Sequence, residues 1–259
     1  MDTTLITKKG TRVEIINCGN FYLDGGSMFG RVPKTMWEKW FPADDKNRIL
    51  MATNVVRITK GPMVCLIDAG IGRNHAEKNW SILGTRPENI RVIREPADFL
   101  ICTHLHFDHI GGIHDLDIRS DVIVARKEWE DAKRKDSPLT RGSYRNIDIE
   151  AIEPSVRIVD PPYTPFEGIE IISTPGHTRG HTSIVIDGEI LYAGDLIPTA
   201  SHVHLPCIMS YDLYPLQVLE TKKTVLDTAC RKEMKIIFEH DPDKAWGNVV
   251  FSNNRFSVL

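Results

Sequence analysis

What most constrains this chain of 259 residues is a repeated unit: a short β-branched or apolar run that stops at Gly, Asp, Pro or His. Such runs occupy Arg12–Asn17, Asn54–Thr59, Met63–Asp68, Asp98–Cys102 and Asp121–Ala125 in the first half. In the second half they occupy Val156–Val159, Ile169–Ser173, Thr182–Ile186, Ile190–Ala193 and Lys235–Phe238. Runs of this length and composition, bounded by turn residues, predict strands. The Asp187-Gly188 pair between Ile186 and Ile190 predicts a tight hairpin. Helical spacing is confined to Lys34–Trp40 behind Pro33, to Lys127–Arg134, and to Pro215–Arg231, where Leu216, Leu219, Val225 and Leu226 share a stripe. Strands therefore dominate, with helices inserted and no strict βαβ alternation. The polar, Pro-rich stretch Asp136–Pro165 reads as a long loop, not a linker, because motifs on both sides of it build one site.

Composition narrows the function classes. A chain that is 41% hydrophobic and 26% charged, with both signs interspersed, reads as an ordinary soluble globular protein. Five cysteines, none in a C-x-x-C pair, fit a reducing, cytoplasmic compartment better than a disulfide framework. The net charge is −3, and the basic cluster from Arg126 to Lys135 is interleaved with Glu128, Glu130 and Asp131. That pattern predicts a solvated helix face, so nucleic acid is not an expected partner. Met1–Leu5 lacks the charged and apolar sequence of a signal peptide, and none is expected. No run approaches the ~18 apolar residues of a membrane span, so no membrane partner is expected either.

The chemistry is concentrated at strand ends. Asp98–Thr103 runs straight into His104-Leu105-His106-Phe107-Asp108-His109-Ile110-Gly111-Gly112. In an extended segment His104 and His106 point the same way, while Asp108 and His109 follow on the turn. Three imidazoles and a carboxylate within six residues are costly to gather unless a cation binds them. Neutral imidazole and carboxylate suit zinc and tolerate iron, manganese or cobalt. Three further strand ends carry groups of the same type: His177 and His181 in Thr174-Pro175-Gly176-His177-Thr178-Arg179-Gly180-His181, Asp195 after Gly194, and His240 after Phe238-Glu239.

The order H-x-H-x-D-H, then T-P-G-H-T-x-G-H, then G-D, then a late histidine resembles the metallo-β-lactamase superfamily over about residues 50 to 241. The resemblance implies an α+β fold, an αββα sandwich of two mixed sheets with helices on the outer faces, as a single domain over residues 1–259. It also implies two divalent metal ions, zinc foremost. His104, His106 and His177 would hold one, Asp108, His109 and His240 the other, and Asp195 would bridge them. Either histidine of the His177/His181 pair is chemically suited. The resemblance selects His177 and leaves His181 to orient its neighbours. It further implies hydrolysis by a hydroxide shared between the metals, with Asp108 as proton donor to the leaving group.

Asp24–Lys34, the helix with Trp37 and Trp40, Gly194–Pro206 and Met209–Asp212 are similar to the branch containing N-acyl-homoserine-lactone (quorum-quenching) lactonases. A small-molecule lactone or related ester is then the expected substrate, with a thioester (as in glyoxalase II) or a phosphoester as the alternative. Lactonases of this type carry a tyrosine three residues after the bridging aspartate, where this chain has Pro198. Tyr211 and His202 are the candidate catalytic substitutes. Met28-Phe29 reads equally as acyl-chain pocket or as core, and His75 and His114 as structural. The segment 1–49 is expected near the pocket or at a homodimer contact.

Overall fold

The computed structural model describes residues 3–134 and 142–259. Two seven-stranded sheets lie face to face. The first runs in sequence order through β1 (Thr3–Ile6), β2 (Arg12–Asp24), β3 (Arg48–Lys60), β4 (Met63–Ile67), β5 (Ala97–Ile101), β6 (Ile118–Ala125) and β7 (Val156–Val159). The second runs through β8 (Tyr163–Phe166), β9 (Ile169–Ser173), β10 (Thr182–Ile186), β11 (Ile190–Tyr192), β12 (Lys235–Ile237), β13 (Trp246–Ser252) and β14 (Arg255–Val258). In the first sheet pairing is antiparallel from β1 to β4 and parallel from β4 to β7. In the second only β11 and β12 are parallel. Both sheets are therefore mixed.

The helices are α1 (Gly25–Phe29), α2 (Lys34–Trp37), α3 (Glu77–Leu83), α4 (Phe107–Ile110), α5 (Arg126–Ala132), α6 (Asn146–Ile152) and α7 (Pro215–Arg231). The central strands are apolar at consecutive positions because both faces are covered. Cys65, Ile67, Ile101 and Ile123 point between the sheets to meet Ile171, Ile184 and Ile237. Their neighbours Leu66, Leu100, Val122 and Val124 point outward beneath Ala132, Ile149 and Ile152 of α5 and α6. On the far side Leu191, Ile236 and Phe238 pack under Val218, Leu226 and Ala229 of α7. A further cluster joins Phe29, Trp37 and Phe41 of the N-terminal insert to Ile49, Trp80 and Cys207.

Two sequence expectations need correction. Asp136–Pro165 is not one loop. Residues 136–141 lie outside the described residues, but α6 and most of β8 fall inside the stretch, beside β7 at the expected Val156–Val159. Its polar composition masks Ile149 and Ile152, which α6 buries one turn apart. The helix at 127–134 is also not wholly a solvated face, because Glu128 of α5 is completely buried.

Candidate metal centre

β5 delivers the chain, still extended, to His104 and His106, and α4 then begins at Phe107 with Asp108 and His109 in its only turn. The His104 and His106 rings stand 4.5 Å apart, edge to face. His177 arrives from the loop after β9, and its Nε2 lies 3.0 Å from Nδ1 of His106. One ligand atom from each of His104, His106 and His177 falls within 4.8 Å of the other two. Nδ1 of His177 donates to Asp212 (2.9 Å), which leaves Nε2 aimed into the group. Nε2 of His104 is buried without a hydrogen-bond partner among the described residues. A buried nitrogen is not left unpaired at no cost. A cation coordinated there would satisfy it, so the donor set fits a metal.

Asp195 joins this group to a second. Its Oδ2 is 3.2 Å from Nε2 of His177 and 4.0 Å from Nε2 of His104. Its Oδ1 is 3.4 Å from Nε2 of His109 and 3.1 Å from Nε2 of His240, and has no hydrogen-bond partner among the described residues. One carboxylate thus presents one oxygen to each group, which is the geometry of a bridging ligand. Gly194, at φ 55°, makes the turn possible, since a Cβ there would stand 2.8 Å from Nε2 of His181.

His240 is gripped from the first sheet. Its Nδ1 donates to the carbonyl of Ala52 (2.8 Å), and its carbonyl accepts from the Ala52 N–H. Asn54 of β3 donates through its amide to the carbonyls of Phe238 and Asp241. The His240 N–H donates to the carbonyl of Pro198 (2.9 Å). Position 198 therefore contributes a main-chain acceptor.

The remaining candidates divide. Asp108 lines the pocket with its Oδ2 3.8 Å from Nε2 of His240, beside the tight second group. His181 has no free nitrogen, since Nδ1 donates to the Thr174 carbonyl (3.0 Å) and Nε2 accepts from the Asp195 N–H (3.1 Å). Burial and the neighbouring His177 lower it to about 3, so it orients Asp195 as a neutral ring. Tyr211 lies on the pocket wall. His202, expected beside the substrate, is instead packed away. Its nitrogens are taken by the Thr199 hydroxyl and the Met28 carbonyl, and its ring stacks on Phe29 at 4.8 Å. His204 packs against Trp40. Arg179 is spent on Asp131 and Glu130.

A family model described as the metallo-beta-lactamase superfamily matches residues 50–245. The chain belongs to that superfamily. A curated member, an N-acyl homoserine lactonase of Bacillus sp, is 37% identical over 101 residues, which are 38% of this chain and 37% of the lactonase. The alignment thus spans little more than a third of that relative. A probable metal-dependent hydrolase from Staphylococcus aureus superposes with a TM-score of 0.85 at 26% identity, over 96% of this chain and 97% of that one. AidC, a dizinc quorum-quenching lactonase, shares the fold with a TM-score of 0.73 at 18% identity, over 100% of this chain and 96% of its own.

Beyond the superfamily motifs, four buried carboxylates escape a reading of the sequence. Asp68, at φ 57° after β4, accepts from the Thr103 N–H and hydroxyl (both 2.8 Å) and from Nδ1 of His109 (3.0 Å). Asp212 holds His177. Glu128 accepts from the Leu105 N–H, the Tyr144 hydroxyl and the Thr178 hydroxyl, tying the first motif to the His177 loop. That loop reaches α5 only because residue 180 is glycine; a Cβ there would lie 2.1 Å from the Glu128 nitrogen. Glu239 lies behind His109. The signal for Asp68 was its place at a strand end, like the ligands. Glu128 gave none, being hidden in a charged run.

Electrostatics separate the two groups. Burial, reinforced by adjacent imidazoles, holds His104 and His106 well below the ordinary histidine range. Burial pulls the same way on His109, but the charges of Glu239 and Asp195 overcome it and raise His109 well above that range. His240 likewise rises to about 9 against burial, through Asp195 and Glu239. His177 is raised by Asp195 and Asp212 despite burial.

Proposed function

We propose that the protein is a two-metal hydrolase of a neutral lactone or closely related ester, with zinc as the first choice of metal. The observation that carries this reading is the wall of the pocket above the ligand groups. Leu23, Met28, Phe107, Met209 and Leu213 supply the apolar surface, Ser143, Ser210 and Tyr211 the hydroxyls, and no Lys or Arg is among the described lining residues. An anionic phosphodiester or a glutathione thioester would find no countercharge on the described side chains of the wall, whereas an acyl chain finds apolar contacts. At about 230 Å³ the cavity falls below the ~300–1,000 Å³ of drug-sized sites. This favours a compact lactone with a short acyl arm.

In this reading His104, His106 and His177 hold one metal, and His109, His240 and Asp108 the other, with Asp195 between them. Two such ions supply a nucleophile at neutral pH and a Lewis acid for the carbonyl oxygen. The chain does the rest. Asp195 spaces the two groups, and Asp212, Asp68 and Ala52 aim His177, His109 and His240. Asp108, at the pocket face, stands where its carboxyl can pass a proton to the departing alkoxide. Tyr211, on the cavity wall, is the candidate to take the place of the tyrosine absent at Pro198.

A panel of short- and long-chain acyl-homoserine lactones, a simple γ-lactone, a thioester and a phosphotriester tests the proposal. Turnover of short-chain lactones with kcat/KM above ~10⁴ M⁻¹s⁻¹, lost in Asp108→Asn, is the expected result. Uniformly weak turnover, or preference for the phosphotriester, would sink the lactone reading.

A further inference from the structure

The ligand set leaves one buried carboxylate without a task. Glu239 is fully buried, one residue before His240. Its Oε2 accepts from the Tyr192 hydroxyl at 2.5 Å and stands 3.0 Å from Nδ1 of His109, while its Oε1 has no hydrogen-bond partner among the described residues. By proximity alone it groups with His109, Asp195 and His240 as a candidate ligand. Direction argues otherwise. The two nitrogens of an imidazole point away from each other. Nε2 of His109 faces Asp195 and His240, at 3.4 and 3.3 Å. Glu239 meets the opposite nitrogen, so it stands behind the ring and not across the centre.

Asp68 shares that position, with its Oδ2 3.0 Å from the same Nδ1. This oxygen is already committed, accepting from the Thr103 hydroxyl at 2.8 Å and lying 3.2 Å from the Tyr192 oxygen. Tyr192 has one proton, and the shorter contact gives it to Glu239. Glu239 thereby removes a competitor from Asp68 and adds a second acceptor on the same side of His109. We infer that Glu239 is a positioning residue which, with Asp68, brackets the Nδ1–H of His109 and fixes the aim of Nε2 at the second metal position. The inference rests on the two-metal reading above. It assigns the late F-E-H-D motif two duties: His240 binds in front of the second centre, and Glu239 steadies His109 from behind.

The test is metal binding, not turnover. Wild type, E239A, E239Q and Y192F are stripped, titrated with zinc against a chromophoric chelator, and followed in parallel with cobalt by visible absorption. Wild type is expected to bind two equivalents. In E239A the first equivalent keeps its affinity and the second weakens about 10–100-fold, the range for loss of a group that orients a ligand. E239Q keeps an acceptor oxygen and stays nearer to wild type than E239A does. Unchanged affinity for both equivalents in E239A overturns the inference. So does E239Q as weak as E239A, the signature of a carboxylate that binds metal directly. Should E239A not fold, Y192F decides: it frees Glu239 from its anchor and should weaken the second equivalent alone, and equal affinities would refute the role. A wild type that binds one equivalent fails the two-metal reading instead.

Discussion

The His104–His106–His177 group and the His109–Asp195–His240 group meet at Asp195 but are prepared for a cation in opposite ways. In the first, burial keeps His104 and His106 neutral, and only His177 has a carboxylate behind it. In the second, carboxylates raise His109 and His240 above the ordinary histidine range against burial. A cation entering the first group meets lone pairs already free on His104 and His106. One entering the second competes with protons that Asp195 favours. The same low-dielectric interior therefore makes one group a ready site and the other a proton-competed one, and the difference lies in where the carboxylates stand.

The largest effect that sharpens this contrast is at the shared residue. Asp195→Ala should weaken both equivalents by more than the ~10–100-fold typical of orienting groups, as read by metal content after dialysis. Loss of only one would break the bridging role. Next in size is pH. The folded-state value of His240, about 9, lies above the ordinary 6.5. In stripped protein its stabilisation is complete below ~6.5 and disappears as pH rises through about 9. Metal competes for that same site, so the second equivalent should tighten by about tenfold per pH unit for each proton displaced, up to pH ~9. The first equivalent, with only His177 raised, should show the shallower slope in chelator titrations; parallel slopes would erase the distinction. The smallest effect is at Asp212→Ala, which removes the partner of His177 and should weaken the first equivalent about 10–100-fold while sparing the second. Weakening of the second instead would reverse the assignment.

The residues gathered at the candidate centre were legible because they sit at the ends of strands with clear apolar patterns, at His104–His109, His177, Asp195 and His240. The orienting carboxylates were not, because their selection is by burial and direction. Asp68 looks like any residue closing a strand, and Glu128 like any acid in a charged helix. His202 was misjudged for the related reason that spacing from Asp195 says nothing of the Met28 carbonyl and Phe29 ring that claim it. In the fold, α6 and β8 were hidden by a polar, proline-rich stretch, whereas β4, β5 and β10 were plain.

The grip of Ala52 and Asn54 on the 238–241 segment has a consequence for how the molecule comes into being. On a ribosome the first histidine group is complete once His177 has emerged, but the second waits for a residue near the end of the chain to reach a strand made near its start. Contacts so distant in sequence form slowly. On the two-metal reading, a nascent or C-terminally clipped chain would offer the first group without a complete second, so His240 would act as a check that synthesis has run past it.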